Sequence, residues 1–292
     1  MYEDVFRRRT RQVNRGKVFR ILNSEIRIST NCPSIEDSLR YLVQNARHEF
    51  PLDHRLSYVV QENGGRYSIR EGRRVLATKM PMDSVLTCLF ERIQERTLDA
   101  MPGWVRIHAG CGSRRGKRFL VVGAKYAGKS TLMARLLFGG LEVFGDELVL
   151  LRGGVVVPVP RKFYVREASL ALLPGLAEIA SRLPFARNAT DGRIVAFDPQ
   201  EAGFDWRITA APVDAVFSLV PNHGRPTRLE TCPKYRMAQH VMRQCNAPMQ
   251  RDRNWVGDLC AMLDRAETYE LHIGDLEQAL HAVTGALDRQ DQ

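Results

Sequence analysis

The stretch that decides the fold is VVGAKYAGKSTLMARLL, which runs from Val121 to Leu137. It begins with apolar residues typical of a buried strand, breaks at Gly123 and Gly128, and continues with leucines at helical spacing. Glycines let the backbone of such a turn curl so that several N–H groups point at one anion. The following helix adds its positive N-terminal end. The stretch therefore predicts a phosphate-binding turn between a strand and a helix.

The turn matches the pattern G-x-x-x-x-G-K-[ST] without a gap. Lys129 is expected to bring a full charge to the β- and γ-phosphates of a nucleotide, and Ser130 to supply a hydroxyl for Mg²⁺. Thr131 can reach the α-phosphate, whereas Lys125 is interpreted as an exposed charge. The predicted nucleotide-binding residues are Gly123, Ala124, Lys125, Tyr126, Ala127, Gly128, Lys129, Ser130 and Thr131.

Two adjacent carboxylates, Asp146 and Glu147, lie between the apolar runs LEVFG and LVLL. An acidic residue at the end of a buried strand beside a phosphate loop is what Mg²⁺ coordination requires. We predict a metal site at Ser130, Asp146 and Glu147, with Asp146 also the base that takes a proton from an alcohol. A plain hairpin turn at Gly145 is the alternative interpretation.

His108 belongs to the stretch VRIHAG, which we assign to the strand before the phosphate-loop strand. Neighbouring strands would bring this imidazole close to the glycine turn. Taken alone, an isolated histidine in a strand is more often structural. The sequence therefore leaves both roles open for His108.

Cationic residues follow the acidic strand in RKFYVREAS. Arg161, Lys162 and Arg166 are predicted to contact an anionic substrate or the transferred phosphate, since cations stabilise developing negative charge. A plain basic surface is an equal alternative.

The length, charge and cysteine content limit the classes of protein to which the chain can belong. The chain has 292 residues and a formal charge of +10, with no apolar run long enough for a membrane span. We expect a soluble, cytoplasmic protein without a membrane partner. The six cysteines show no Cys-x-x-Cys spacing and are expected to be reduced thiols. Nucleic acid is not expected as a partner, because no recognised binding motif accompanies the charge.

The chain is expected to fold as three parts. Residues 1–16 form a basic arm, residues 17–100 a small α+β accessory or substrate-recognition domain, and residues 101–292 the phosphate-loop domain of α/β class with a mixed sheet. In the small domain we predict a hairpin or two short strands, three later strands, and a helix capped by Ser34. A second helix is predicted to carry Val85, Leu89, Ile93 and Leu98 on one face. The breaker-rich segment DAMPGW (residues 99–104) marks the boundary.

The segment IHAGCGSRRGKRFLVVGAKYAGKSTL, followed by LEVFGDELVLL, resembles the catalytic core of the HPr kinase/phosphorylase superfamily. These P-loop serine kinases are similar in turn to ATP-dependent phosphoenolpyruvate carboxykinases. The resemblance spans about Trp104 to Pro160. It implies an active site at His108, Gly123, Gly128, Lys129, Ser130, Asp146 and Glu147, with Asp146 as base, Glu147 on the metal and His108 beside the transferred phosphate.

The resemblance implies an ATP- and Mg²⁺-dependent kinase that phosphorylates an alcohol, foremost a serine or threonine hydroxyl of a peptide or protein. Two departures from the family pattern matter. Glu147 replaces the usual second Asp, and the loop tied to phosphorolysis is not visible, so only forward transfer is predicted. Related kinases act in peptide natural-product pathways. Family members often form rings, so a homo-oligomer is expected from the resemblance alone.

The same sequence motifs are compatible with other functions. A small-molecule hydroxyl kinase and a regulatory ATPase that transfers no phosphate both fit the same motifs. A nucleic-acid-binding ATPase is motivated only by the charge. The chain lacks the Asn-Lys-x-Asp motif of GTPases and the Leu-Ser-Gly-Gly-Gln signature of ABC transporters. Phosphate loops read phosphates rather than bases, so the choice between ATP and GTP stays open as well.

Overall fold

The structure is a computed structural model that describes residues 16–42, 45–188, 192–245 and 255–289. The predicted basic arm of residues 1–16 lies outside these ranges except for Gly16. The described chain divides into two compact units. One contains the residues up to Pro102 without Ala46–Glu49, and the other contains Ala46–Glu49 and the residues from Gly103 onward.

The first unit is built on a five-stranded mixed sheet with the order β1-β2-β4-β5-β6. The predicted hairpin and the three later strands are present. Only β2 and β4 pair in parallel; the other neighbours are antiparallel. The strands are β1 (Lys17–Ile21), β2 (Ser24–Thr30), then, after β3 (Arg47–His48) of the other unit, β4 (His54–Asn63), β5 (Arg66–Glu71) and β6 (Arg74–Met80).

Two helices accompany this sheet, α1 (Pro33–Ser38) and α2 (Met82–Asp99). The predicted helical face of α2 is confirmed, since Val85, Leu89 and Ile93 are buried. The predicted cap at Ser34 is wrong. Helix α1 begins at Pro33, which suits the first helical turn because its fixed φ is already helical. Its N-cap is Cys32, which makes no side-chain capping bond.

The second unit contains the remaining strands and helices. Its strands are β3, β7 (Val105–Ile107), β8 (Ala109–Arg114), β9 (Lys117–Gly123), β10 (Glu142–Gly145), β11 (Val149–Arg152), β12 (Val155–Pro158), β13 (Phe163–Arg166), β14 (Phe185–Asn188), β15 (Gly192–Phe197), β16 (Arg207–Ile208), β17 (Ala211–Pro212), β18 (Ala215–Pro221), β19 (Arg228–Thr231) and β20 (Glu267–Ile273). Its helices are α3 (Lys129–Phe138), α4 (Pro174–Ile179), α5 (Lys234–Met242), α6 (Trp255–Arg265) and α7 (Leu276–Arg289).

The main sheet of this unit has six strands in the order β10-β8-β9-β18-β20-β19. The central strands β9, β18 and β20 are parallel, and antiparallel strands flank them. The fold is therefore mixed α/β, with a mixed sheet. Helices α3 and α7 bury their apolar sides in one core with this sheet, to which Leu132, Leu136, Phe217, Leu271 and Val283 belong.

A second sheet of this unit has the order β17-β12-β11-β7 and is antiparallel. The chain crosses between the two sheets at two places. The chain passes from β7 to β8 at His108, and from β10 to β11 at residues 146–148. Smaller sheets of the order β13-β15-β14 and β16-β3 complete the unit.

One predicted helix is shorter than expected. The sequence pattern indicated a helix from about Arg166 to Leu183, whereas the structure has a 3-10 turn (Glu167–Leu172), α4, and a second 3-10 turn (Ala180–Arg182). Pro174 causes the break, because proline cannot donate the backbone hydrogen bond of a helix interior and instead starts a new first turn. Among the described helices, none is both long and apolar enough to cross a membrane.

Helix α3 lies very close to strand β8 at Gly110. A Cβ atom built on Gly110 would lie 2.7 Å from both Cγ and Sδ of Met133. We therefore expect Gly110→Ala to destabilise the protein by about 1–3 kcal/mol, the usual effect of overpacking a core. Urea unfolding monitored by circular dichroism measures the change.

A matched control is Gly285→Ala inside α7, where the nearest atom to a new Cβ is Arg289 Nη1 at 3.8 Å. That variant should be stabilised by about 0.5–1 kcal/mol, because alanine is the better helix former. If the free energy of unfolding changed equally in both variants, the close approach of α3 to β8 would not be the cause of the change in Gly110→Ala.

Candidate active site

The glycine turn between β9 and α3 has the backbone that the motif requires. Gly128 is the N-cap residue of α3 and adopts φ +91°, a left-handed conformation that favours glycine. Tyr126 also has a positive φ, of 68°. The turn is closed by a hydrogen bond from the N–H of Ala127 to the carbonyl of Ala124, at 3.1 Å. The N-terminal N–H groups of α3 thus begin directly at the end of the turn.

The predicted nucleotide-binding residues occupy three environments. The tip of the turn is exposed at Ala124, Lys125 and Tyr126. Gly123 ends β9, and Ala127 is buried. The first turn of α3 contains Lys129, Ser130 and Thr131.

The ammonium group of Lys129 is buried beneath this turn. Only 6% of the residue is exposed, and Nζ has no hydrogen-bond partner among the described residues. Burial lowers the pKa of Lys129 to about 8, although the nearby charges of Glu147 and Asp146 oppose that shift. An uncompensated buried ammonium is unfavourable, so the site offers a cation to an anionic ligand.

Asp146 follows directly after β10 and is 3% exposed. The strand end is held by the buried Trp206, whose Nε1 donates to the carbonyl of Phe144 at 2.9 Å. Burial raises the pKa of Asp146 to about 6, while a hydrogen bond from the Ser130 hydroxyl opposes the shift. The structure therefore brings together Asp146 and Ser130, two of the three predicted metal ligands.

His108 is not inside a strand, as the sequence indicated, but in the single-residue break between β7 and β8. The reason is that β7 and β8 belong to different sheets, so the chain must leave one ladder before joining the next. Its Nδ1 lies 3.5 Å from Oε1 of Glu147. Burial and the charge of Lys129 lower the pKa of His108, so the neutral imidazole is favoured at neutral pH.

Arg161 is a second cation of the site, in addition to Lys129. Its Nη1 lies 3.6 Å from the same Oε1 of Glu147, and its side chain is 15% exposed. Glu147 itself is 39% exposed. Arg161 therefore lies beside Glu147, and its contact with a substrate or phosphate stays a prediction.

The other two predicted cations have different surroundings. Lys162 is buried, and its Nζ contacts Glu201 at 2.6 Å and Asp198 at 3.8 Å. It is therefore a structural cation of an internal ion pair rather than a phosphate contact. Arg166 is at the end of β13, and its guanidinium lies 4.6 Å from the ring centroid of Tyr126. It thus contacts the exposed tip of the glycine turn.

One neighbour of the site could not be found from the sequence. The N–H of His108 donates to the carbonyl of Gln244 at 2.9 Å, which holds the backbone between the two sheets. A main-chain acceptor has no side-chain signal, so no motif marks Gln244.

The chemistry of this donor set suits a Mg²⁺–nucleotide. A hydroxyl and two carboxylates at Ser130, Asp146 and Glu147 are the oxygen ligands that Mg²⁺ prefers. The unpartnered ammonium of Lys129 and the N-terminal end of α3 suit the negative charge of phosphates. Both groups thus fit the residues present.

The raised pKa of Asp146 predicts a pH-dependent stability change for Asp146→Asn. The folded carboxyl holds its proton more tightly than the unfolded one, so wild-type stability falls as the pH rises from about 4 to about 6, and the loss persists above. Asparagine does not ionise. In metal- and nucleotide-free buffer the variant should therefore be more stable than wild type at pH 7, by up to about 3 kcal/mol.

The gain of Asp146→Asn should shrink towards zero near pH 4, where both side chains are neutral. Urea unfolding at the two pH values measures it, with Asp264→Asn as an exposed control outside the site. An equal gain at both pH values would contradict a titrating, buried Asp146.

Comparisons with known proteins give little support beyond the geometry. No protein-family model matches the chain, and no curated protein matches it. Among solved structures, the chain is similar to the HPr(Ser) kinase/phosphatase from Coxiella burnetii, with 11% sequence identity and a TM-score of 0.33. The match covers 64% of this chain and 99% of that one. At this TM-score the likeness carries no argument about function.

Proposed function

We propose that the protein is an ATP- and Mg²⁺-dependent kinase that transfers the γ-phosphate to an alcohol. The observation that carries the proposal is the buried ammonium of Lys129, which has no hydrogen-bond partner among the described residues. Lys129 is the first residue of α3, and its ammonium lies near the charges of Asp146 and Glu147. A buried cation, a helix N-terminus and two carboxylates at one place suit a metal-bound phosphate chain.

Each residue has a defined task in this proposal. The residues from Gly123 to Thr131 bind the phosphates as a P-loop, and Lys129 holds the β- and γ-phosphates. Ser130, Asp146 and Glu147 would hold Mg²⁺, which neutralises phosphate charge when bound. Arg161 adds a cation beside Glu147.

Asp146 is the proposed base for the acceptor hydroxyl. A base works best when its pKa is near the working pH, and burial raises the pKa of Asp146 to about 6. In the metal-free protein the carboxylate is therefore mostly ionised at neutral pH, and an ionised carboxylate can accept a proton. His108, neutral and 3.5 Å from Glu147, positions that second carboxylate without adding a repelling charge to Lys129.

The acceptor follows from the sequence resemblance, which favours a serine or threonine hydroxyl of a peptide or protein. A small-molecule alcohol is the second candidate within the same chemistry. ATP hydrolysis without transfer, as in a regulatory ATPase, is the alternative that the next experiment separates.

Phosphoryl transfer should depend on Asp146. With γ-labelled ATP, Mg²⁺ and a panel of hydroxyl-bearing peptides, proteins and small alcohols, wild type should label an acceptor. Asp146→Asn should lower that rate by about 10²–10⁴-fold, the usual contribution of general base catalysis. Asp264→Asn, a surface carboxylate outside the site, should retain wild-type labelling.

Two results would oppose the kinase assignment. One is the absence of any labelled acceptor while ATP turnover persists in Asp146→Asn. The other is equal acceptor labelling by wild type and Asp146→Asn.

Nucleotide affinity should depend on Lys129. Lys129→Met keeps the aliphatic stem but removes the ammonium, so the Kd for Mg·ATP should rise roughly 10–100-fold, as expected for loss of a charge-assisted contact. Isothermal calorimetry measures the Kd, and the nucleotide-induced rise in Tm should shrink accordingly. Lys125→Met is the matched control at the exposed tip of the turn. It removes an exposed charge but keeps the backbone N–H that the turn supplies, so it should bind nearly as wild type. Unchanged affinity in Lys129→Met would place the phosphates elsewhere.

A further inference from the structure

A second cluster of chemically reactive side chains lies on the main sheet of the second unit, at β19 and β20. These strands are antiparallel, with Glu230 directly opposite Glu270. Residues two apart in a strand share a face, so His272 lies on the same face as Glu270, and Cys232 on the same face as Glu230. Helix α5 packs here and supplies His240.

Cys232 is held in place although it lies just beyond β19. Its N–H donates to the carbonyl of Thr268 at 2.8 Å, which extends the ladder by one step. The Thr268 hydroxyl in turn donates to the carbonyl of Cys232 at 2.5 Å. The thiol is therefore presented by a fixed backbone, and the residue is only 4% exposed.

Three ligand atoms of this cluster converge. Oε1 of Glu270 lies 3.2 Å from Nε2 of His240 and 3.8 Å from Sγ of Cys232. All three atoms lie within 4.8 Å of one another. Bonds of about 2.0–2.3 Å in a tetrahedral zinc site separate neighbouring ligand atoms by roughly 3.3–3.7 Å. The two separations from Oε1 of Glu270 thus agree with a tetrahedral site to within a few tenths of an ångström. The separation between the Cys232 and His240 ligand atoms is at most 4.8 Å.

We propose that Cys232, His240 and Glu270 bind one divalent transition-metal ion of the zinc type, with water as the fourth ligand. Thiolate and imidazole select zinc-type metals, whereas Mg²⁺ and Ca²⁺ prefer oxygen ligands alone. Binding releases the thiol proton of Cys232 to solvent. The resulting thiolate and the carboxylate of Glu270 together balance the double positive charge.

The surroundings of Glu270 favour a bound cation. Two carboxylates directly opposite each other in an antiparallel pair repel, and Glu230 and Glu270 occupy such positions. His272 Nε2 lies 3.7 Å from Oε2 of Glu270 and has no hydrogen-bond partner among the described residues. This nitrogen can donate to the second carboxylate oxygen, the role that outer partners of metal ligands usually have.

One cation competes for the same position. Nη1 of Arg236 lies 3.7 Å from Oε1 of Glu270, and the arginine side chain is 51% exposed. It neutralises part of the carboxylate charge in the metal-free protein. A metal ion would displace this guanidinium towards solvent, where its exposure lets it be hydrated.

The experiment is a titration of the full-length, metal-stripped protein with Co²⁺ and Zn²⁺. Co²⁺ reports a thiolate ligand by a charge-transfer band in the near ultraviolet and a tetrahedral site by visible absorption. We expect the band to saturate at one Co²⁺ per chain and Zn²⁺ to displace that ion. An ion held by Ser130, Asp146 and Glu147 would have oxygen ligands only and would not produce the band. Cys232→Ser should abolish the charge-transfer band.

Affinity should follow the ligand set. Cys232→Ser and His240→Ala should each weaken Zn²⁺ binding by more than about 100-fold, since loss of an outer partner alone costs about 10–100-fold. Arg236→Ala should bind at least as tightly as wild type, because it removes a competitor. Cys260→Ser, an exposed thiol on α6, is the matched control and should leave the band unchanged.

Circular dichroism of each variant without metal shows whether it is folded, so a loss of binding can be assigned to the ligand. The proposal is overturned if folded wild type shows no thiolate charge-transfer band with Co²⁺, even if it takes up the ion elsewhere. It is also overturned if the charge-transfer band persists in Cys232→Ser. The readout is independent of phosphoryl transfer, so neither result bears on the proposed kinase activity.

Discussion

The constraint on which the candidate active site depends is the burial of a positive charge at Lys129. A lysine ammonium that loses water without gaining a hydrogen bond is unfavourable, and burial accordingly lowers the pKa of Lys129 to about 8. The folded chain compensates only in part, through the charges of Glu147 and Asp146. A phosphate chain would supply the missing acceptors. Burial also raises the pKa of Asp146 to about 6, so the same loss of water acts on both charged groups.

The two crossings of the chain between the sheets explain why His108 lies close to Asp146 and Glu147. Strand β7 pairs with β11 in one sheet, and β8 pairs with β10 in the other. The two chain segments that cross between the sheets are therefore neighbours, and they carry His108 on one side and Asp146 and Glu147 on the other. Polar groups fit at a crossing because the backbone there has left the regular ladder, as the bond from His108 N–H to Gln244 shows.

The sequence predicted those parts of the fold and site that depend on local chemistry. The glycine turn, its strand and its helix follow from Gly123, Gly128 and the apolar spacing around them, and the structure contains this strand, turn and helix. The buried face of α2 was readable from its periodicity. The sequence could not show that His108 lies between two sheets, because a one-residue break leaves no composition signal. Nor could it show that Lys162 pairs with Glu201, since that contact joins residues 39 positions apart.

The proposed metal site of Cys232, His240 and Glu270 could not be predicted from the sequence for the same reason. Cys232 and His240 are close in the chain, but Glu270 joins them only through the pairing of β19 with β20. No spacing rule for common zinc motifs covers that combination. Long-range strand pairing, rather than residue type, decides where these side chains converge.

The crossing between the sheets also restricts how the chain can vary in length. Ile107 pairs with Val149 in one sheet, and Cys111 pairs with Gly145 in the other. The intervening segments, His108–Gly110 and Asp146–Leu148, therefore bridge the same gap with the same number of residues. The β10–β8 ladder already holds one unmatched residue between Val143 and Gly145. An insertion or deletion in one segment alone would therefore need a further bulge, or it would shift one ladder and turn its side chains to the opposite face. Related sequences that keep both ladders without a further bulge should change length here in both segments together or in neither.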